Sequence, residues 1–303
     1  MPAPSVAPFR ERVNVPRKTA IVRAMIERRA SRTALLVAAY RARASRRESP
    51  LVVDPWAAAL VGPEGEALAN EVDRFLDDRE LWTAVRTAYL DGHVLHWTRE
   101  QALPQVVILG AGLDTRAARL AHEGVRFFEV DHPATQADKL ARLGRVDGYP
   151  IASATYVACD FERDDFLERL GAEGFRTDAP AVIVWEGVTP YLKEEAVRAT
   201  LARVAGGCHP RSVLLFDHFL KRFIEAANTA SDAKTHAFVD ALGEKFVWGT
   251  NDPVPMLYEA GFRHVRSVSF DEACLTLTGT YDRAREFRFQ RIVLASRTPS
   301  ARM

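Results

Sequence analysis

Apolar positions along this chain follow two different periods. Over the first hundred residues they recur at three- and four-residue spacing, with Val22, Met25, Ile26, Leu36, Ala39 and Tyr40 in one stretch and Leu81, Trp82, Val85, Tyr89 and Leu90 in another. That spacing predicts amphipathic helices with the charged positions largely on the opposite face. Pro50 breaks the first pattern. Asp54-Pro55-Trp56 then reads as a helix start, with Asp54 as cap and Pro55 in the first turn, and a further helix is predicted over 78–100.

From position 106 the period shortens. Apolar, β-favouring runs at 106–109, 125–130, 154–157, 181–185 and 212–216 predict five strands, and the helical patterns at 116–122, 133–143, 163–170 and 193–205 fall between them. Gly206-Gly207 is predicted to end the last of these helices. The run Ala181-Val182-Ile183-Val184-Trp185 is apolar throughout, as a central parallel strand covered on both faces requires. The segments 264–270 and 287–295 read as a closing antiparallel, hairpin-like pair. Together these elements predict an α/β fold: a doubly wound, Rossmann-like, seven-stranded and mostly parallel sheet with an N-terminal helical cap. The chain is read as one domain, 1–303, with the cap at about 17–100 and the sheet core at about 101–297, and with 297–303 as a frayed tail.

Composition narrows the class without naming a chemistry. At 303 residues, 48% hydrophobic and 27% charged, the sequence is that of an ordinary soluble protein. No stretch approaches the ~18 apolar residues of a membrane span. The first twelve residues lack a signal-peptide core, so the expectation is a cytoplasmic protein without a membrane partner. Cys159, Cys208 and Cys274 are far apart and lack Cys-x-x-Cys spacing, which argues for small buried residues over a disulfide framework or zinc site. The first fifty residues carry twelve Arg or Lys against three Glu, leaving 29 basic and 37 acidic residues, a net −8, in the remainder. Such a basic arm suits RNA or an anionic substrate, or equally a solvated helix face. The absence of interleaved aromatic platforms favours the helix face and argues against nucleic acid.

The candidate chemistry lies at the ends of the strands. Val106-Val107-Ile108-Leu109 leads into Gly110-Ala111-Gly112, followed by Asp114 or Thr115 as a helix cap: strand, tight turn, helix. Glycine permits both the turn and a ligand's close approach to the main chain. The second strand ends on Asp131, nineteen residues past Gly112, where a carboxylate can accept from both hydroxyls of a ribose. A dinucleotide fingerprint wants a third glycine where Thr115 stands, so a nucleoside ligand without a pyrophosphate, such as S-adenosylmethionine, fits better than NAD. Asp160 follows the third strand and can accept from an adenine amine, with the amide of Phe161 offered to the ring; its alternative is to cap the helix 163–170. Glu186 follows the fourth strand, where ligands bind in this fold class. His93 and His96 have metal-compatible spacing but no partner pattern, and are read as structural or surface residues with no metal site.

These stretches resemble a family. Leu109-Gly110-Ala111-Gly112-Leu113-Asp114-Thr115-Arg116, Glu129-Val130-Asp131-His132-Pro133 with Lys139, Cys159-Asp160-Phe161, and Glu186-Gly187-Val188-Thr189-Pro190-Tyr191-Leu192 are similar in order and spacing to the leucine carboxyl methyltransferase-like (PPM) family. Asp54-Pro55-Trp56-Ala57 and Arg86-Thr87-Ala88-Tyr89-Leu90-Asp91 extend the resemblance, which covers about 33–192. It implies a class I methyltransferase fold and S-adenosyl-L-methionine-dependent O-methylation. By the same resemblance, Arg86 holds the methionine carboxylate, Gly110 and Gly112 line the cofactor, Asp131 takes the ribose, and Asp160 with Phe161 takes adenine. Glu186 faces the methionine amino group or the acceptor. Phe161 stands where the family often has leucine, and Thr189-Pro190 replaces more apolar residues at the acceptor side.

A methyl transfer needs few side chains, because holding donor and nucleophile in line supplies up to ~7–11 kcal/mol. A carboxylate acceptor is ionised at neutral pH and needs no base, whereas a hydroxyl would want one, for which Tyr191 and His218 are the candidates beside Glu186. The expected acceptor is a small acidic or hydroxylated metabolite, with a protein carboxylate as the alternative. An RNA methyltransferase is disfavoured because Asn or Asp before Pro-Pro-Tyr is absent after the fourth strand. A module that binds the cofactor without transferring its methyl is the remaining class, and oligomeric state is not legible.

Overall fold

A computed structural model describes residues 31–299 apart from 162, 226–229 and 242–243. Most of the basic arm, with Val22, Met25 and Ile26, and the end of the predicted tail lie outside the described residues.

Seven strands form one sheet: β1 (Gln105–Leu109), β2 (Arg126–Asp131), β3 (Ala154–Ala158), β4 (Ala181–Trp185), β5 (Val213–Phe219), β6 (His264–Ser269) and β7 (Gln290–Ser296). Their order is β3-β2-β1-β4-β5-β7-β6; the first five run parallel and β7 is antiparallel to both neighbours. The chain proceeds outward from β1 in one direction through β2 and β3, then returns to β4 on the other side. This places a topological switch point between β1 and β4, and at such a point a crevice opens at the strands' carboxyl ends.

Both faces of the sheet are covered. Val106, Ile108, Val182 and Val184 pack with Val85, Leu90 and Val94 of α3 (Arg79–Leu95) and with Phe270 of a later helix. The alternate residues Val107, Leu109, Ile183 and Trp185 pack with Leu167 and Leu170 of α6 (Phe166–Ala172) and Val197 and Leu201 of α7 (Glu194–Gly207). The continuous apolar strands of the sequence therefore serve two cores. Ahead of α3, α1 (Arg32–Ala44) and α2 (Ala57–Val72) bury Leu35, Leu36, Tyr40, Leu60 and Leu68 against Leu113 and Leu143. Thus α1 and α2 cover the turn that follows β1, whereas α3 is a flanking layer of the sheet. Leu36, Ala39 and Tyr40, part of the predicted apolar face, are buried.

Local signals are realised in part. Asp54 Oδ1 accepts from the amides of Trp56 and Ala57, both at 3.0 Å, and caps α2 as its sequence predicts. Pro133 occupies the first position of α5 (Pro133–Leu143), which follows the short α4 (Arg116–Leu120). The helix predicted over 163–170 instead begins at Phe166, because Asp165 accepts from Leu167 N and Glu168 N and starts it there. The glycine pair 206–207 lies inside the last turn of α7, which ends at Cys208. Strand β5 runs three residues past its predicted end, drawn out by pairing with β7, so Asp217 and His218 are strand residues. After α8 (Lys221–Glu225), α9 (Ala230–Ala241) and α10 (Val254–Ala260), the closing strands are not a simple hairpin. Ser269 and Glu272 form a capping box that starts α11 (Phe270–Thr278) between β6 and β7. All three cysteines are free and buried. Among the described residues, no helix is long and apolar enough to cross a membrane.

Candidate active site

The turn after β1 is held to β2 by the Gly110 amide, which donates to Val130 O at 2.8 Å. Gly110 and Gly112 have φ of +68° and +49°, a region that side chains resist. A Cβ on Gly110 would stand 2.4 Å from Val188 Cγ2, and one on Gly112 would stand 2.9 Å from Ala34 Cβ. Both positions therefore require glycine for conformation and for space. At the third-glycine position Thr115 is fully buried and its hydroxyl donates to Asp54 Oδ2 at 2.5 Å, so a side chain fills the place where a pyrophosphate-binding turn keeps open backbone.

Above this turn lies a cleft of about 410 Å³ at the switch point, lined by Arg86, Gly110, Gly112, Asp131, Phe161, Glu186 and Tyr191 among others. Residues predicted from five separate stretches thus converge. Asp131 Oδ2 accepts from Gly112 N at 2.5 Å and Oδ1 from His132 N at 2.6 Å. Burial pushes the Asp131 carboxyl up, and the Gly112 and His132 amides pull it back. Its position is fixed, while each oxygen keeps a second acceptor site.

Glu186 is held between two arginines. Arg86 Nε donates to its Oε1 at 2.7 Å and Arg116 Nη2 to its Oε2 at 2.8 Å. Burial works against its charge, yet Arg116 and Arg86 outweigh burial and hold the carboxyl below its ordinary range. Arg116, 1% exposed, also donates to Asp91 at 2.5 Å and to the side chain of Asp114. Asp114 is drawn down to about 2 because Arg116, with Arg41 and Arg119, overcomes its burial. Beside them, Lys139 joins Glu129 in a buried pair and donates to Asp114 O at 2.5 Å, tying the turn to α5.

Two predicted residues fall outside the cleft lining. Asp160 borders the Phe161 loop, where its main-chain oxygen accepts from Arg163 and Asp164 and its carboxylate stands 3.5 Å from Arg163 Nε. It does not cap a helix at 163. His218 is fully buried inside β5, its Nδ1 3.1 Å from Phe219 O and its ring beside Phe216 and Trp248. Burial lowers its pKa to about 4. His93 is lowered to about 4 by the same cause, and no metal-ligating group of three or more is present among the described residues.

These two histidines fix the sign of an acid effect. Each is neutral when folded and takes a proton more readily when unfolded, so the stability they contribute is complete above 6.5 and is lost as pH falls towards 4. His218→Leu is expected to flatten the decline of the urea midpoint over that window while leaving cofactor affinity unchanged. Loss of cofactor binding in the folded variant would return His218 to the site.

Sequence reasoning missed several groups. Glu244 reaches the cleft from the segment after α9; its Oε1 accepts from Ser31 Oγ at 3.0 Å and its Oε2 from Thr33 Oγ1. Asp217, fully buried and pushed up by its burial against the pull of Arg86, accepts from Gly187 N at 2.6 Å. Neither sits in a local motif; only the fold brings Glu244 to the cleft and Asp217 to the Gly187 amide behind it.

Comparison with known proteins gives this geometry a family. The sequence model of the leucine carboxyl methyltransferase family matches residues 34–205. The chain belongs to that family. A Mycobacterium avium protein named for S-adenosyl-L-methionine-dependent methyltransferase activity is 32% identical over 263 residues, 76% of this chain and 82% of that protein. One of the same description from Mycolicibacterium smegmatis is 37% identical over 204 residues, 63% of this chain and 68% of its own length. A DUF574 family structure from Streptomyces avermitilis superposes with a TM-score of 0.60 at 15% identity, covering 86% of this chain and 97% of that one. A Thermobifida fusca methyltransferase structure gives 0.57 at 16%, with 80% and 92% covered. Both share its fold, the class I Rossmann-like architecture. This member of the leucine carboxyl methyltransferase family is an S-adenosyl-L-methionine-dependent methyltransferase. In its cleft the Arg86 cation and the Glu186 anion lie side by side, with the Asp131 carboxylate among the other lining residues.

Proposed function

We propose that this protein is an O-methyltransferase that esterifies a carboxylate of a small acidic metabolite. In this reading Arg86 and Glu186 hold the cofactor's amino-acid end, Asp131 takes the ribose hydroxyls, and Phe161 with the adjoining Asp160 borders the adenine. Bound there, S-adenosylmethionine supplies an electrophilic methyl group.

The observation that carries the carboxylate assignment is the absence of an available base among the described residues lining the cleft. Asp114, Glu186 and Glu244 are each held by donors on both oxygens, and Asp131, held by Gly112 N and His132 N, has its remaining acceptor sites turned to the ribose in this reading. His132 accepts from Ala134 N at 3.2 Å through Nδ1, so its neutral ring carries the proton on Nε2 and has no lone pair left to use. Burial pushes the Tyr191 hydroxyl up, away from any role as a phenolate. A hydroxyl acceptor needs a proton removed; a carboxylate does not.

The test uses methyl-labelled cofactor with cell extract or a panel of carboxylic acids. Label released as methanol in mild alkali is expected, with a rate that does not rise above about pH 6 from acceptor deprotonation. Alkali-stable label would refute the assignment. The family match favours a second reading, a protein's terminal carboxylate, and label that co-migrates with macromolecules would select it.

A further inference from the structure

We infer that Gln290 and Asp217 are positioning residues for the cofactor's amino-acid end, acting through Arg86 and the Gly187 amide. The inference rests on the assignment of Arg86 and Glu186 made above, and it extends the site to β5 and β7, beyond the family-matched residues 34–205.

A continuous chain of hydrogen bonds supports it. Trp82 Nε1 donates to Gln290 Oε1 at 2.5 Å, which orients the amide so that Gln290 Nε2 donates to Asp217 Oδ2, also at 2.5 Å. Asp217 Oδ1 accepts from Gly187 N at 2.6 Å, and its main-chain oxygen accepts from Thr189 Oγ1 at 2.6 Å. The same Oδ2 lies 3.8 Å from Arg86 Nη1. The Arg86 guanidinium in turn rests 4.6 Å from the centre of the Trp82 ring and donates to Glu186.

The Trp82 Nε1–H, both ends of the Gln290 amide and both Asp217 carboxylate oxygens have hydrogen-bond partners, and Gln290 and Asp217 are both 0% exposed. A side-chain amide suits the position between them. The residue must accept from an indole N–H on one side and donate to a carboxylate on the other, and the amide does both. The consequence is that Arg86 meets Glu186 on one edge, Asp217 on another and an aromatic face beneath, so its direction into the cleft is fixed before the cofactor arrives. Gly187 follows Glu186 directly, so the bond from its amide to Asp217 sets the backbone from which Glu186 projects.

Two variants separate positioning from simple packing. Gln290→Leu keeps the volume but leaves Trp82 Nε1 without an acceptor and Asp217 Oδ2 with Arg86 Nη1, 3.8 Å away, as its remaining neighbour. Gln290→Glu places two carboxylates in contact, and they fit only when they share a proton. The charged groups facing this pair are Arg86 from α3, Glu186 from the end of β4 and Asp217 from β5, with Arg79 on the Trp82 ring 5.8 Å from its centre. S-adenosylhomocysteine binding is measured by calorimetry across pH alongside the urea midpoint.

Gln290→Leu is expected to bind at least tenfold more weakly than the parent. Gln290→Glu is expected to match the parent near pH 6 and to lose at least tenfold by about pH 8, while the parent changes little. If Gln290→Leu does not fold, the pH dependence of Gln290→Glu decides. Affinity that tracks the parent at every pH, with only the urea midpoint responding, would overturn the inference. Arg86→Leu is the control: unchanged affinity there would remove the assignment on which the inference stands. Because the readout is cofactor binding, failure of the carboxylate-acceptor reading leaves it untouched.

Discussion

Arg116→Leu is expected to lower the protein's stability by about 3–5 kcal/mol, the usual cost of removing one partner from a buried ion pair. The reason is the number of charges it leaves behind. Arg116 bonds to Asp91, Asp114 and Glu186, and each is almost wholly enclosed. Arg119 can still reach Asp91, and Arg86 still holds Glu186, but Asp114 loses its direct side-chain cation. Burial then pushes the orphaned carboxyls up, so the variant should regain part of its stability as pH falls and Asp114 takes a proton, opposite in sign to the histidine effect. Urea unfolding at two pH values checks this. A midpoint within the error of the parent at neutral pH would show that solvent or another cation compensates, and that the cleft does not depend on Arg116.

The second large effect is on binding. Asp131→Ala is expected to lower S-adenosylhomocysteine affinity at least tenfold, because charge-assisted hydrogen bonds contribute about 1.5–3 kcal/mol each. The carboxylate has a structural task as well: it accepts from Gly112 N and His132 N, so its removal frees the turn that approaches the cofactor. Asp131→Asn separates the two tasks. Its side-chain oxygen can still accept one of the two amide bonds, but the neutral amide offers the ribose a weaker acceptor. Affinity is therefore expected to be intermediate. Calorimetry of both variants gives the order; an alanine variant that folds and binds like the parent would reduce Asp131 to a turn-stabilising residue.

The parts of this site that were legible in the sequence are those built from contiguous residues. Gly110 and Gly112 announce a turn because no other residue tolerates their backbone and spacing, and Asp131 and Glu186 were found by their place at strand ends. Fold class followed from uninterrupted apolar runs separated by helical patterns, which few architectures accommodate. What escaped notice depends on contacts made across long stretches of chain. Arg116 looks like an ordinary helix residue until α3 and β4 bring Asp91 and Glu186 to it. Asp217 lies just past the predicted end of the fifth strand at 216, yet pairing of β5 with β7 carries the strand past it and brings Gln290 within reach. His218 drew attention as a candidate base, and the same extension encloses it. One missed element did have a local signal: Ser269 and Glu272 are spaced as a capping box, and the alternating segment 264–270, read as a strand, concealed the start of α11.

That the cleft between β1 and β4 is the cofactor site is tested most directly by titrating the parent protein with S-adenosylhomocysteine and, separately, with NAD. The expected result is one S-adenosylhomocysteine per chain with micromolar affinity, roughly 7–9 kcal/mol, weakened by Asp131→Ala, and no comparable binding of NAD. Tighter binding of NAD, or S-adenosylhomocysteine affinity indifferent to Asp131, would contradict it.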